Sequence, residues 1–403
     1  MRRLIRVRRD EHGAIAVIVA LFMFFVALGL AALTIDVGNI NADRRQLQNG
    51  ADAVALAVAK QCADDGTCAP TDASLQLLAN ANAAPGTNGL RLMDIRRVDG
   101  LSPAVCGSGP GLSACPVAQT AADLKNLQEC PSPSDPTSNY VRVYTETTNA
   151  VTGQNILPYT FGAAITGAGP GANQQACASA AWGSIGTYTA SIPLTISLCM
   201  FDALVGGTAS LPAEPSGAFP GYGPANVNAW PPLSTQTMVY TTKYADTDSC
   251  TNSNGHAANG SFGWMDSGSV CNATVTSGQW VNGDPGNSVP NACDMSKYYG
   301  KSILVPIFDC IKSGSQPVGE PTGPCAIPTS GGNNIWYHIA GWASFYVNGY
   351  RFPSATGASL LPGGSVCGSP QSCLSGWLTK LTLSDASSGA GKSYGVQIVK
   401  LVG

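Results

Sequence analysis

The sequence predicts an α+β chain: an N-terminal transmembrane helix continuing into a long stem helix, then a disulfide-stapled, β-rich, sandwich-like extracytoplasmic domain with long loops. Three observations carry that prediction. An uncharged apolar run from Ala14 to Leu33 would make about 30 Å of helix, the thickness of a bilayer's hydrocarbon core. All 14 cysteines lie beyond it. From Tyr140 onward the apolar pattern changes from helical to alternating.

Composition narrows the class. Only 11% of the 403 residues are charged, against roughly 25% in an ordinary soluble domain. Gly (47) and Pro (27) imply many turns, while a hydrophobic content of 44% is ample for a core. A net charge of −3 and three His argue against a strongly basic nucleic-acid binder and against a metal- or proton-shuttling enzyme. Collagen, a coiled-coil rod and a polytopic transporter are excluded as well. What remains is a secreted or anchored β-rich protein.

Residues 1–13 form a basic tail carrying Arg2, Arg3, Arg6, Arg8 and Arg9 against only Asp10 and Glu11. The first charge beyond the apolar run is Asp36 and the first base is Arg44. This asymmetry predicts a single-pass span over 14–35 with the N-terminus inside the cell and the rest outside. The remainder of the chain is mildly acidic, with no footprint for DNA or RNA. A cleaved signal peptide, with small residues at Gly29–Ala31, is the rival reading, but the apolar run exceeds the usual core of such signals. A prepilin-like signal would use Gly13, yet the fifth residue after it is Ile18 where a Glu is needed.

Beyond the span the pattern stays helical. Ile40, Leu47 and Val54 recur every seven residues, with Ala51 and Val58 on an adjacent line. One helix from about Ala14 to Lys60 is expected, its stem at 36–60, ended by Asp64-Asp65-Gly66. The stripe Ile40, Leu47, Ala51, Val54 and Val58 must pack on the chain's own domain or on partner helices, and it is taken as a partner-binding stripe. Residues 61–139 read as a Cys-, Gly- and Pro-rich region with one short helix over Asp72–Ala83, and 140–403 as the β-rich domain.

An even set of cysteines on the translocated side, without C-x-x-C pairs or nearby His, reads as a disulfide framework rather than metal or redox chemistry. Connectivity does not follow from spacing, but short-range candidates are Cys62 with Cys68, Cys106 with Cys115, Cys271 with Cys293, Cys310 with Cys325 and Cys367 with Cys373. Strands are expected at 140–148, 188–198, 238–244, 302–309, 335–347 and 394–401, and a helix near Phe161–Ile165. Long polar loops are expected at 204–236, 245–300 and 312–334. Over 335–347, Trp336 and His338 fall on one face and Tyr337 and Ile339 on the other, which predicts a strand buried on both sides. The aromatic cluster there is core, or else a sugar-binding platform.

Catalytic motifs are lacking: there is no G-x-S-x-G, P-loop, dinucleotide fingerprint or H-E-x-x-H. His338 reads as a satisfied, partly buried histidine. Cys310 reads as bridged rather than nucleophilic. An exported hydrolase would need a polar pocket joining Asp266, Asp309 or His338. No cofactor or metal is implied.

Several stretches, in order, resemble TadG-like proteins of the tight-adherence (Flp pilus) assembly machinery, actinobacterial type. They are Gly13–Ala20, the joint Asp36-Val37-Gly38 and the run RRQLQNGADAVALA from Arg44 to Ala57, in which Gly50 and Val54 stand where Ala is usual. Ala180–Gly183, Pro193–Cys199, Gly263–Asp266, Val305–Asp309 and Tyr337–Tyr350 add to it. Some relatives carry an Asp-x-Ser-x-Ser metal site; the nearest stretch, Asp385–Gly389, breaks that pattern. The resemblance implies a non-enzymatic scaffolding protein of the bacterial cell membrane, its C-terminal domain meeting pilus-assembly proteins or cell-wall components. A surface adhesin or carbohydrate-binding module is the second expectation, and an exported hydrolase the third.

Overall fold

The computed structural model describes residues 12–65, 68, 72–81, 91–94, 105–115, 130, 139–149, 156–162, 169, 171–205, 211–212, 233–240, 249–254, 257–259, 262–268, 270–284, 288–290, 293–323, 325, 334–360, 363–384, 389 and 391–402. Most of the expected helix near Phe161–Ile165, the stretch Asp385–Ser388 and much of the expected loop 204–236 lie outside these residues.

Helix α1 runs unbroken over His12–Asp65, 54 residues or about 80 Å, a turn beyond the expected end. It contains no Pro, and side-chain atoms added at Gly29 or Gly38 would meet nothing, so neither glycine marks a contact. Helix α2 (Asp72–Ala81) lays Leu75 and Ala79, four residues apart, against α1. Helix α3 (Leu198–Val205) follows later.

The strands, in chain order, begin with β1 (Arg91–Asp94), β2 (Val105–Ser108), β3 (Asn139–Asn149), β4 (Leu157–Pro158), β5 (Gly171–Ala172) and β6 (Gln175–Gly183). Next are β7 (Thr187–Ala190), β8 (Leu194–Ser197), β9 (Thr237–Tyr240), β10 (Ser249–Thr251), β11 (Ala257–Asn259) and β12 (Phe262–Met265). Then come β13 (Ala273–Thr276), β14 (Trp280–Asp284), β15 (Ser302–Ser313), β16 (Ile335–Phe352) and β17 (Ala355–Gly357). The last are β18 (Cys373–Thr379), β19 (Leu381–Leu383), β20 (Lys392–Tyr394) and β21 (Val396–Val402).

Two sheets dominate. The first has six strands in the order β1-β3-β6-β21-β19, with β2 also on β3. The second has nine, in the order β14-β12-β8-β15-β16-β18-β9, with β17 and β20 on β16. Because β14 also pairs with β16, matching Trp280 to His338, the path β14-β12-β8-β15-β16 closes on itself as a small ring. Tyr337 packs there against Gly263 and Gly283, where any side chain would collide with its ring. Burial, aided by the charge of Asp284, pushes the Tyr337 hydroxyl well above the ordinary phenol range.

The layers meet through β21. Its Val399 faces α1, whereas Val396 and Ile398 point the other way into a core shared with Phe308, Tyr337 and Trp342 of the nine-stranded sheet. The order is therefore helix, six-stranded sheet, nine-stranded sheet. Near β3 and β6 the second face of the six-stranded sheet is covered instead by Tyr144 and the Cys106–Cys115 and Cys130–Cys177 bridges.

Several expectations change. The expected strand 188–198 is two strands with Pro193 between them, turning into helix at Leu198; proline lacks the N–H that a ladder needs. The expected loop 245–300 contains β10 to β14, so Trp264 and Trp280 are core residues rather than display groups. Strand β6 was not expected at all. The 335–347 strand runs on to Phe352 and is buried on both faces.

Candidate functional site

The sequence gives α1 two kinds of surface, and the structure treats them differently. From Ile15 to Val37 its large apolar side chains are exposed, Phe22 by 67% and Ile18 by 68%. This half is long and apolar enough to cross a membrane. From Leu47 onward the helix is seated on the six-stranded sheet. Leu47, Ala51, Val54, Ala55, Val58 and Ala59 are no more than 1% exposed and pack on Val141, Val143, Ala176, Ala178, Ala180 and Trp182. Alanine on both surfaces lets the helix approach the strands closely.

This corrects the partner-binding stripe. Leu47, Ala51, Val54 and Val58 are covered by the chain's own sheet, so these four are closed to a partner helix, while Ile40 is half-buried. The heptad spacing located the buried line without saying what lay opposite.

Polar side chains fix the helix along this seat. Nearest the bare half, Asp36 is 5% exposed and its carboxylate accepts backbone N–H bonds from Thr160 (2.7 Å), Phe161 (3.2 Å) and Gly162 (2.5 Å). Burial works against its charged form, but the N–H groups of Thr160, Gly162 and Phe161 outweigh that and hold the carboxyl below its ordinary value. Asn39 adds a bond to the Thr160 hydroxyl. Two turns on, the buried Asp43 accepts a short hydrogen bond from the Thr147 hydroxyl. Thr145 then donates to the Leu47 carbonyl (3.0 Å), and Gln48 donates to the Cys177 carbonyl (3.0 Å).

At the far end, Lys380 donates to the Asp64 carbonyl (2.7 Å) and Thr382 to the Asp64 carboxylate (2.9 Å). A cation there suits the negative end of the helix dipole. The Cys62–Cys68 bridge closes the turn that follows. From the sequence, Asp36 stands out as the first charge after the apolar run and part of a joint, and Asp64 as part of the helix end, but neither as a bond to the domain, and Asp43 does not stand out at all. The available signal was spacing: Asp36 and Asp43 are seven apart, flanking the line of Ile40 and Leu47.

Disulfides join at least six pairs of the described cysteines. Five are the short-range pairs named from the sequence: Cys62–Cys68, Cys106–Cys115, Cys271–Cys293, Cys310–Cys325 and Cys367–Cys373. The sixth, Cys130–Cys177, spans 47 residues and ties Cys130 to β6. Cys199 is also disulfide-bonded.

A second polar cluster lies on the outer face of the ring. His338 Nδ1 is 2.7 Å from Asp309 Oδ1, with both side chains buried. Asn254 donates to the other carboxylate oxygen (2.7 Å), and Asn252 to the Asp309 carbonyl (2.8 Å). The Trp280 ring lies 5.1 Å from the imidazole. The turn after β15 covers the pair, held by the Cys310–Cys325 bridge, by Trp280 Nε1 on the Gly319 carbonyl (2.7 Å) and by Lys312 on the Thr322 carbonyl (2.7 Å).

Of the three residues a hydrolase pocket would join, the structure brings two together, Asp309 and His338. Asp266 is exposed and bonds Gly268 and Asn282 instead. His338 Nε2 is buried without a hydrogen-bond partner, with Glu320 Oε2 beyond bonding reach at 3.9 Å. An Asp–His pair orients a base, but a base needs a nucleophile within about 3 Å, and among the described residues Nε2 has no hydroxyl or thiol there. Cys310 beside it is bridged. Among the described residues no cluster of three His, Cys, Asp or Glu is placed to hold a metal ion.

The aromatic residues of β16 are equally enclosed. Tyr337, Trp342, Phe345, Tyr346 and Tyr350 are buried, and Trp336 is half-buried with its Nε1 on the Gly314 carbonyl (3.0 Å). They are core and not a binding platform.

Residues 13–61 match the Tad family model, described as "Putative Flp pilus-assembly TadE/G-like". The matched segment is α1 from its bare half through its seat on the sheet. No curated protein and no solved structure matches the chain. Residues 13–61 are therefore similar to a TadE/G-like domain of Flp pilus assembly.

Proposed function

We propose that this chain is a single-pass envelope protein that holds a β-rich domain close against the outer face of the cell membrane, as a structural component of Tad-type pilus assembly. The observation that carries the proposal is the continuity of α1. One helix is bare and apolar in its first half and part of a domain core in its second, so any force on the domain passes directly to the span. The arginines at Arg2 to Arg9 favour the N-terminus inside, and the disulfides suit an oxidising exterior.

The partners would be pilus-assembly proteins or cell-wall components that meet the outer domain, since the stem's apolar line from Leu47 onward is already used. The reading is non-enzymatic: the buried Asp309–His338 pair braces β15 against β16 beneath a bridged turn. A carbohydrate-binding reading finds less support, because among the described residues no Trp or Tyr belongs to the large hydrophobic side chains left exposed.

The test is made in the native cell. Deleting the chain is expected to abolish or reduce surface pili, with rescue by the full chain. Added protease is expected to cut the domain in intact cells while leaving a tag at residue 1 untouched. Normal piliation without the chain, or a tag cut from outside, would overturn the proposal.

A further inference from the structure

Strand β4 and the turn after it, residues 156–162, meet α1 where its bare half ends. Asp36 binds three successive N–H groups of this turn, and Asn39 binds its Thr160 hydroxyl. The height of the turn along the helix axis is therefore fixed at residue 36. At 1.5 Å per residue, that level is about 5 Å beyond Leu33, the last residue of the apolar run. A bilayer's headgroup region is roughly 5–8 Å deep on each side.

The turn is chemically suited to that depth. Phe161 is 44% exposed, Tyr159 is half-buried, and Ile35 and Val37 of α1 are each 46% exposed at the same level. No Asp, Glu, Lys or Arg occurs between Glu146 and Asp202, so this segment brings no charge of its own into the interface. The Asp36 carboxylate at this height is already satisfied by backbone N–H groups. Aromatic rings beside a span are the residues that settle at headgroup level.

We infer that the 156–162 turn is a second membrane contact: Tyr159 and Phe161 lie in the phospholipid headgroup region beside α1 and, through Asp36, fix the tilt and height of the outer domain. This rests on the reading of α1 as a membrane span. Contact at two places resists rocking of the domain about a single helix.

The test uses the full chain in native membranes, with the photocrosslinker p-benzoylphenylalanine placed singly at three positions. Phe161→p-benzoylphenylalanine reports the turn, and Tyr159→p-benzoylphenylalanine repeats it should that variant fail to accumulate. Phe24→p-benzoylphenylalanine reports the span. Lys60→p-benzoylphenylalanine, exposed on the same helix and about 36 Å beyond Asp36, is the control. Lipid adducts at 24 and 161 but not at 60 are expected. Lipid at 24 with only protein adducts, or none, at 161 would overturn the inference while leaving the span intact. No lipid at 24 would overturn the anchored reading, and the inference with it.

Discussion

Between Ile15 and Val37, α1 leaves nearly all of its large apolar side chains exposed; between Leu47 and Ala63 the same helix buries almost every residue that faces the sheet. The two halves do not differ in secondary structure. They differ in side-chain size and in where polar groups fall. The bare half uses Phe, Ile, Leu, Met and Val all round and has no charge before Asp36. The seated half uses Ala and Val toward the strands and spends Asp36, Asp43 and Gln48 on bonds to the domain. A helix hydrophobic all round requires an apolar solvent, whereas one with a small-residue stripe requires a partner surface. Here that partner is the chain itself.

The contrast predicts that equal substitutions in the two halves have unequal consequences. The largest effect is expected from a buried charge. Val54→Asp puts an unpaired carboxylate into the seat and should cost at least about 3 kcal/mol, read as loss of the cooperative melt and of correct disulfides. Phe24→Asp, at the centre of the apolar run, should leave the domain's melt unchanged and instead weaken membrane insertion by about 2.5–3.5 kcal/mol.

Next, Leu47→Ala should lower domain stability by about 2–5 kcal/mol in a denaturant titration, while Leu21→Ala leaves the midpoint where it was. Removing the Cys130–Cys177 bridge with the pair Cys130→Ser and Cys177→Ser should cost about 2–4 kcal/mol, and the loss should appear in the protection of β6, which forms the seat.

The joint between the halves should respond to acid. Because the folded-state value of Asp36 lies below its ordinary 3.8, its contribution is fully present above pH 3.8 and is lost as pH falls through the lower folded value. Proteolysis within the 156–162 turn should rise over that range, and Asp36→Asn should cut readily at every pH. Smallest of all, Arg45→Ala on the exposed side of the helix should stay within about 0.5 kcal/mol of the parent.

How much was legible depended on whether the signal was local. The long helix follows from an uncharged apolar run continued by helical periodicity, and that periodicity also picks out its buried line at Leu47, Ala51, Val54 and Val58. The two-sided burial of β16 is legible too, because aromatic residues occupy both of its faces. The five short bridges are between cysteines close in sequence, so chain length already limited the choices. What was lost needed a view across the fold. Cys130–Cys177 joins distant segments. Strand β6, QACASAAWG, is dominated by alanine, whose intrinsic preference is for helix, and becomes a strand because β3 and β21 flank it. Strands β10 to β14 are only three to five residues long, too short for an alternating pattern to stand out, so they read as loop.

The candidate site follows the same rule. Asp309 and His338 were each noted, but only the register of β15 on β16, with its irregularity around Phe308, brings their side chains together. Asp36 was visible as the first charge after the span. Its function as a clamp depends on a turn more than 120 residues away in the chain.

The central claim is that one helix serves two surroundings, and amide hydrogen exchange over α1 tests it most directly, on the full chain in lipid nanodiscs and again in detergent. Residues 47–59 should be protected as strongly as β3 and β6 in both, and should open with them as one unit, whereas residues 15–33 should owe their protection to lipid. Rapid exchange of 47–59 while β6 stays protected would show a free stem, and would contradict the account.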